Sequence, residues 1–102
     1  MKRFGAISLG LTLVGLMATL PAYSYTGEKL AKGAKVSIEQ ARTIALQNRG
    51  GAITDEELER EKGGSGLRYS FDIKSDGAVY EVGVDAQSGK VLENKKEGPH
   101  PD

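Results

Sequence analysis

The sequence predicts an α+β fold in which one N-terminal helix packs on a small antiparallel sheet of three to four strands. Three observations predict it: one amphipathic helical segment, two alternating strands joined by Asp76-Gly77, and a further strand after a short loop. The chain has 102 residues, which limits it to one domain. A core of this size is thin, so nearly every apolar side chain is needed for stability.

Residues 1–24 have the pattern of a secretory signal peptide. Two basic residues precede an apolar run over residues 4–20, and small residues follow that run. Cleavage between Ser24 and Tyr25 fits best, and cleavage after Ala22 and an uncleaved membrane anchor are the alternatives. The protein is therefore expected to be periplasmic or secreted, without stable membrane insertion once the signal peptide is removed.

The charge balance argues against two classes of partner. The chain carries 14 basic and 14 acidic residues, and loss of Lys2 and Arg3 with the signal peptide would leave a net charge of about −2. A nucleic-acid binder and a polybasic membrane-surface protein both need a basic excess, so neither is expected. The sequence has no cysteine, which excludes disulfides and a lipidated cysteine anchor.

Residues 25–35 are polar and contain two glycines, so a flexible leader is expected before the fold. The helix follows directly. Ser37 and Gln40 have the spacing of a capping box, and Asn48-Arg49-Gly50-Gly51 predicts a stop with a left-handed glycine. One face of this helix carries an apolar stripe of Ile38, Ala41, Ile44 and Ala45.

The segments "LRYSFDIK" and "VYEVGVD" alternate strictly between apolar and polar residues, which predicts two half-buried strands. Asp-Gly is a strong signal for a two-residue hairpin turn. With Asp76 and Gly77 as the turn, the large apolar residues fall on the same side in opposite pairs. The predicted pairs are Ile73 with Tyr80, Phe71 with Val82, and Tyr69 with Val84.

The segment "DAQSGK" resembles part of a phosphate-binding or metal-binding loop, but a turn explains it fully. Gly83 and Gly89 are too far apart for a phosphate loop, and no hydroxyl residue follows Lys90. A four-residue loop over residues 86–89 places Asp85 opposite Lys90 and lets the aspartate bond nearby main-chain amides. The loop is therefore expected to reverse the chain without a ligand.

Local signals conflict over residues 52–61. Thr54 and Glu57 have the spacing of a second capping box, and the segment is rich in helix-forming residues, so a short helix over 55–61 is predicted locally. The glycines that follow mark a flexible loop.

Asp72 and Glu81 are the most notable carboxylates, since the hairpin register places them opposite each other on the solvent side. The expectation is a mildly repulsive surface pair, relieved by Lys74 and Arg68, and cation binding is the alternative. Gly83 leaves a shallow place on this side. Either a partner backbone approaches there or Leu92 fills it, and Leu92 is expected.

No catalytic set, cofactor site or metal site is predicted. His100 is the only histidine and lies between two prolines in a charged tail over residues 94–102, which is expected to be disordered. Ser70 is expected to be a strand residue without a catalytic base, and the chain has no cysteine to act as a nucleophile.

The segments "EQARTIAL", "ELERE", "YSFDI" and "YEVGVDAQSGKVLE" resemble, in order and spacing, a PepSY domain over residues 36–93. The resemblance implies one helix on an antiparallel sheet and makes "DEELERE" a strand, with Thr54 and Glu56 at inward positions. It also implies a non-enzymatic exported module that binds a peptidase or another envelope protein, as an inhibitor or modulator. A small-ligand or metal-cation sensor, using the acidic residues 55–61 or the pair Asp72/Glu81, is the alternative.

Overall fold

A helix and a four-stranded antiparallel sheet form the fold in the computed structural model, which describes residues 24–98. The predicted signal peptide, apart from Ser24, and His100 lie outside the described residues. The sheet order is β1-β2-β3-β4, so each strand pairs with its neighbours in sequence. The elements are α1 (Ile38–Asn48), β1 (Ala52–Arg60), β2 (Leu67–Ser75), β3 (Ala78–Asp85) and β4 (Val91–Lys96). This arrangement confirms the predicted α+β class.

Helix α1 begins with the predicted capping box. The Gln40 main-chain N–H donates to Ser37 Oγ at 3.1 Å, and the Ser37 N–H donates to Gln40 Oε1 at 2.9 Å. Ala41 and Ala45 are fully buried, which lets the helix lie close to the sheet. The helix ends at Asn48, within the predicted stop, but the predicted left-handed glycine is wrong because the capping residue is Arg49 in an extended conformation. Gly51 is needed instead where the chain passes close to the main chain of β2.

The β2–β3 hairpin has the predicted turn and register. Asp76 and Gly77 both have positive φ angles, as a two-residue hairpin turn requires. The predicted apolar pairs face each other, for example Phe71 with Val82. These strands supply most of the core, which contains Ile38, Ala41, Ala45, Leu58, Leu67, Tyr69, Phe71, Ile73, Val82, Val84 and Ala86.

The locally predicted helix over residues 55–61 is wrong, since β1 covers Ala52–Arg60 and pairs antiparallel with β2. Leu58 is 1% exposed and lies opposite Tyr69, so burial against the sheet outweighs the helix propensity of the segment. A β-bulge at Thr54 shifts the register. The bulge leaves Thr54 exposed, while Glu56 lies opposite buried Phe71.

The segment over residues 25–35 packs on the fold, contrary to the predicted flexible leader. Thr26 forms a parallel bridge with β1, and its carbonyl accepts the Leu58 N–H at 2.8 Å. A 3-10 helix covers Glu28–Gly33, and Tyr25 and Leu30 pack against the core. Gly27 makes this contact possible, because a side chain there would overlap the Leu58 carbonyl group.

The last strand is longer than predicted. β4 ends at Lys96, so the predicted tail boundary after Glu93 is wrong, and the Glu97 N–H still donates to the Val79 carbonyl at 2.9 Å. Within the part of the chain that the structure describes, no helix has the length and apolar character to span a membrane.

Candidate functional site

Carboxylates dominate the side of the sheet opposite α1, called here the outer acidic face. The strand registers set Asp55 opposite Asp72, and Asp72 opposite Glu81. Neighbouring strands lie about 4.8 Å apart, so the three form a continuous acidic row. The acids on this face are Asp55, Glu57, Glu59, Asp72, Glu81, Glu93 and Glu97, and Lys74 and Lys95 also lie on it. The structure therefore confirms the predicted Asp72/Glu81 juxtaposition and adds acids from β1 and from β4 and its end.

Partial burial and crowding on this face raise the pKa of three of its carboxyl groups, those of Glu57, Asp72 and Glu81. Partial burial, followed by the negative charges of Glu97 and Asp55, raises the pKa of Asp72 to about 6. Partial burial also raises the pKa of Glu81, and Glu93 and Asp72 raise it further. The predicted repulsion is thus present, and it extends well beyond one pair.

Arg68 lies near the start of β2, on the outer side of the sheet, and is only 7% exposed. Its Nη1 lies 3.2 Å from Glu93 Oε1 and 3.8 Å from Glu61 Oε2, so the guanidinium pairs with these acids rather than with the Asp72/Glu81 pair. Its side chain also lies against Gly83, at 3.1 Å from where a Cβ would stand. The expectation that Leu92 fills this place is therefore wrong. Among the described residues, Arg68 Nε is a buried donor without an acceptor.

Ser70 occupies the predicted outer position of β2 but is buried. Its Oγ donates to Glu59 Oε2 at 2.7 Å, across the β1–β2 pair. This hydrogen bond fixes the Glu59 carboxylate on the sheet surface. Ser70 is a residue of β2, as predicted.

Asp85 lies at the end of β3 and is 1% exposed. Its carboxylate accepts the main-chain N–H groups of Ser65 at 2.7 Å, Ser88 at 2.9 Å and Gln87 at 3.1 Å. Burial by itself would raise the pKa of Asp85, but these hydrogen bonds outweigh it and hold the pKa well below its usual range. Asp85 therefore ties the β1–β2 loop to the β3–β4 loop, and the predicted turn role is confirmed.

An ion pair connects α1 to β1 on the helix side of the sheet. Arg42 Nε and Nη2 donate to the two Glu56 carboxylate oxygens at 2.7 and 3.0 Å. This bidentate geometry explains how an acid is accommodated at an inward strand position. Glu56 is thus occupied by the helix and does not contribute to the outer acidic face.

The carboxylates of the outer face are distributed over the sheet surface. Within residues 24–98, no group of three or more His, Cys, Asp and Glu side chains has the arrangement of a metal site. The chemistry that this arrangement supports is long-range attraction of positive charge, because most of its acids have no basic partner within ion-pair distance in the described part of the chain.

The strand alternation gave only part of this site. Outward positions on β1 and β2 follow from period-two spacing, but the local signals predict a helix over residues 55–61, which would separate Asp55 and Glu57 from Asp72. A bulge between Gly83 and Val84 also shifts the β3–β4 register, and period-two spacing does not predict this shift.

The helix, the four-stranded meander and the loop closed by Asp85 define a small helix-on-sheet module. The chain matches the peptidase propeptide and YPEB domain, PepSY, over residues 35–95, and it belongs to this family. Domains of this family are generally non-catalytic, propeptide-like modules. No curated protein and no solved structure matches the chain.

Proposed function

We propose that this protein is a non-enzymatic, exported binding module that modulates a peptidase outside the cytoplasm. The match to a peptidase propeptide domain over residues 35–95 carries the proposal, since it includes α1 and all four strands apart from Lys96. Export is supported by the basic head and apolar run over residues 1–20.

The contacts of the most buried polar groups agree with a binding scaffold. Asp85 is saturated by loop amides, Ser70 is bonded to Glu59, and Tyr69 donates its hydroxyl to the Val36 carbonyl at 2.7 Å. Each of these groups stabilises the fold by a hydrogen bond to a neighbouring segment. The outer acidic face is a polar surface that remains open to a partner.

A peptidase assay tests the proposal. Extracellular peptidases of the producing cell would be assayed with increasing amounts of the purified chain, and complex formation would be followed by size-exclusion chromatography. A saturable change in kcat/KM and a stoichiometric complex with one peptidase are expected. The proposal is contradicted if no peptidase changes its activity and none forms a complex.

A second candidate is a small-cation sensor, favoured by the directly opposed carboxylates of Asp72 and Glu81. Calorimetric titration with calcium, zinc and copper tests it, with Asp72→Asn as the variant that should abolish any heat of binding. Flat traces for all three ions would exclude this candidate.

A further inference from the structure

The outer acidic face is the side of the sheet that the described helices do not cover. Helix α1 contacts β2, β3 and β4 from the opposite side, and the 3-10 helix over Glu28–Gly33 contacts β1. Leu30 and Ala31 of that 3-10 helix pack against the apolar core. A face left in this state is available to a second molecule, and its chemistry indicates the kind of molecule.

The spacing of the charges favours an extended partner over a small ion. Asp55, Asp72 and Glu81 lie in one row across three strands, which Lys95 of β4 ends, and Glu57 and Glu93 belong to the next row. Rows on one face of a sheet are about 7 Å apart, so the carboxylates spread over a surface instead of converging on one point. Such a pattern matches several separate positive charges on a protein surface.

A second observation on the same face is a buried hydrogen-bond donor without an acceptor. Arg68 is more than nine-tenths buried, and its Nε donor lacks an acceptor within residues 24–98. This Nε lies 3.5 Å from where a Cβ on Gly83 would stand, so it lies over the part of the sheet without a side chain. A main-chain carbonyl of a bound partner, reached by a small shift of Arg68, would satisfy this donor.

We propose that the outer acidic face docks a lysine- and arginine-rich surface of a protein partner, whose basic side chains pair with the row of Asp55, Asp72 and Glu81. The inference rests on the proposed binding function and specifies its surface and the chemistry of the partner. Binding relieves the mutual repulsion of these acids, so part of its free energy comes from strain that the free protein carries. Attraction of this kind weakens with salt, because ions screen exposed charges.

An NMR titration of the full-length chain at low ionic strength tests the surface directly. The probe is an eight-residue lysine peptide, and an eight-residue serine peptide is the matched control. The lysine peptide is expected to shift the amide resonances of Asp55, Asp72, Glu81 and Gly83 and to leave those of α1 unchanged. Equal shifts with the serine peptide, or shifts confined to α1, would overturn the proposal.

Two double variants with the same change in net charge separate local from general attraction. Asp72→Asn with Glu81→Gln should weaken lysine-peptide binding about tenfold. Glu28→Gln with Glu39→Gln, which removes exposed acids away from this face, should change it less than about twofold. Equal weakening by both pairs would mean that only net charge matters, and the docking surface would be rejected.

Two further outcomes distinguish this inference from its alternatives. Saturable shifts of the same amide resonances with calcium alone would make the face a small-cation site and overturn the proposal. A peptidase that responds equally to the parent chain and to the Asp72→Asn, Glu81→Gln variant would contradict the surface and leave the modulator function standing. Peptide binding at this face without any effect on a peptidase would support the surface and contradict the modulator function.

Discussion

The outer acidic face and the loop around Asp85 shift the pKa of a carboxyl group in opposite directions. Asp85 is the more deeply buried acid, yet its pKa lies well below the usual range, while the pKa of Asp72 is raised to about 6. Desolvation acts in the same direction on both groups. The difference arises from the neighbours, because Asp85 accepts three main-chain N–H groups and Asp72 faces further acids.

This comparison separates a structural acid from an acid that is free for binding. The Asp85 carboxylate has its hydrogen bonds within the fold, and a ligand would have to replace them. The Asp72 and Glu81 carboxylates repel each other in the folded protein, so a positively charged partner gains affinity there by relieving that repulsion. Burial by itself would predict a higher pKa for Asp85 than for Asp72, which is the reverse of the order in the structure.

Replacement of Asp85 by Asn should have the largest effect. Asparagine keeps the shape but removes the charge and one acceptor oxygen, leaving loop N–H groups without partners. We expect a loss of about 2–4 kcal/mol in the free energy of unfolding. Urea denaturation measures it, with Asp55→Asn as an exposed-acid control. A loss below about 0.5 kcal/mol would show that the loop amides do not depend on this carboxylate.

The pH dependence of stability should show both behaviours in one protein. The pKa of Asp72 is raised in the folded state, so its contribution to the unfolding free energy grows as pH falls from about 7 toward 4. The pKa of Asp85 is lowered, so its contribution is present above the ordinary value of 3.8 and is lost as pH falls below that value.

The expected profile is therefore a maximum in stability at mildly acidic pH. A gain on the order of 1–2 kcal/mol is expected between pH of about 7.5 and 5, after allowance for solvent screening. Urea denaturation at about pH 7.5, 5 and 3 measures the profile. A steady fall in stability from the highest to the lowest pH would contradict the proposed crowding of the outer face.

The smallest effect is expected for Asp72→Asn. Because this change removes repulsion and no internal ion pair, the variant should be more stable than the parent by about 0.5–1 kcal/mol at neutral pH. The gain should disappear near pH 4.5, where Asp72 of the parent is largely protonated. Glu39→Gln, at the exposed start of α1, is the control. A variant that is less stable than the parent at neutral pH would show that Asp72 makes a stabilising contact.

Most of the fold could be predicted from local patterns. The capping box at Ser37 and the Asp76-Gly77 turn depend on residues within a few positions of one another, so the sequence pattern predicts both directly. The strand pairing of Phe71 with Val82 follows from that turn by counting. The opposition of Asp72 and Glu81 follows from the same count.

Other features depended on contacts between distant segments. β1 is a strand because Leu58 is buried opposite Tyr69, and this burial outweighs a local preference for helix. Residues 25–27 pack on the fold because Gly27 lets the chain approach β1 closely. Arg68 covers Gly83 in place of Leu92, which no alternation pattern reveals.

The sequence by itself determined the capped helix, the β2–β3 hairpin with its register, and the loop that Asp85 closes. Short-range hydrogen bonds and period-two alternation fix these elements, and both can be counted along the chain. Only the tertiary structure decided that the acids of β1, β2, β3 and β4 share one face and that Arg68 is buried among them. The physical reason is that desolvation and charge repulsion depend on distances in space. Strand pairing and β-bulges determine those distances, and spacing along the sequence does not.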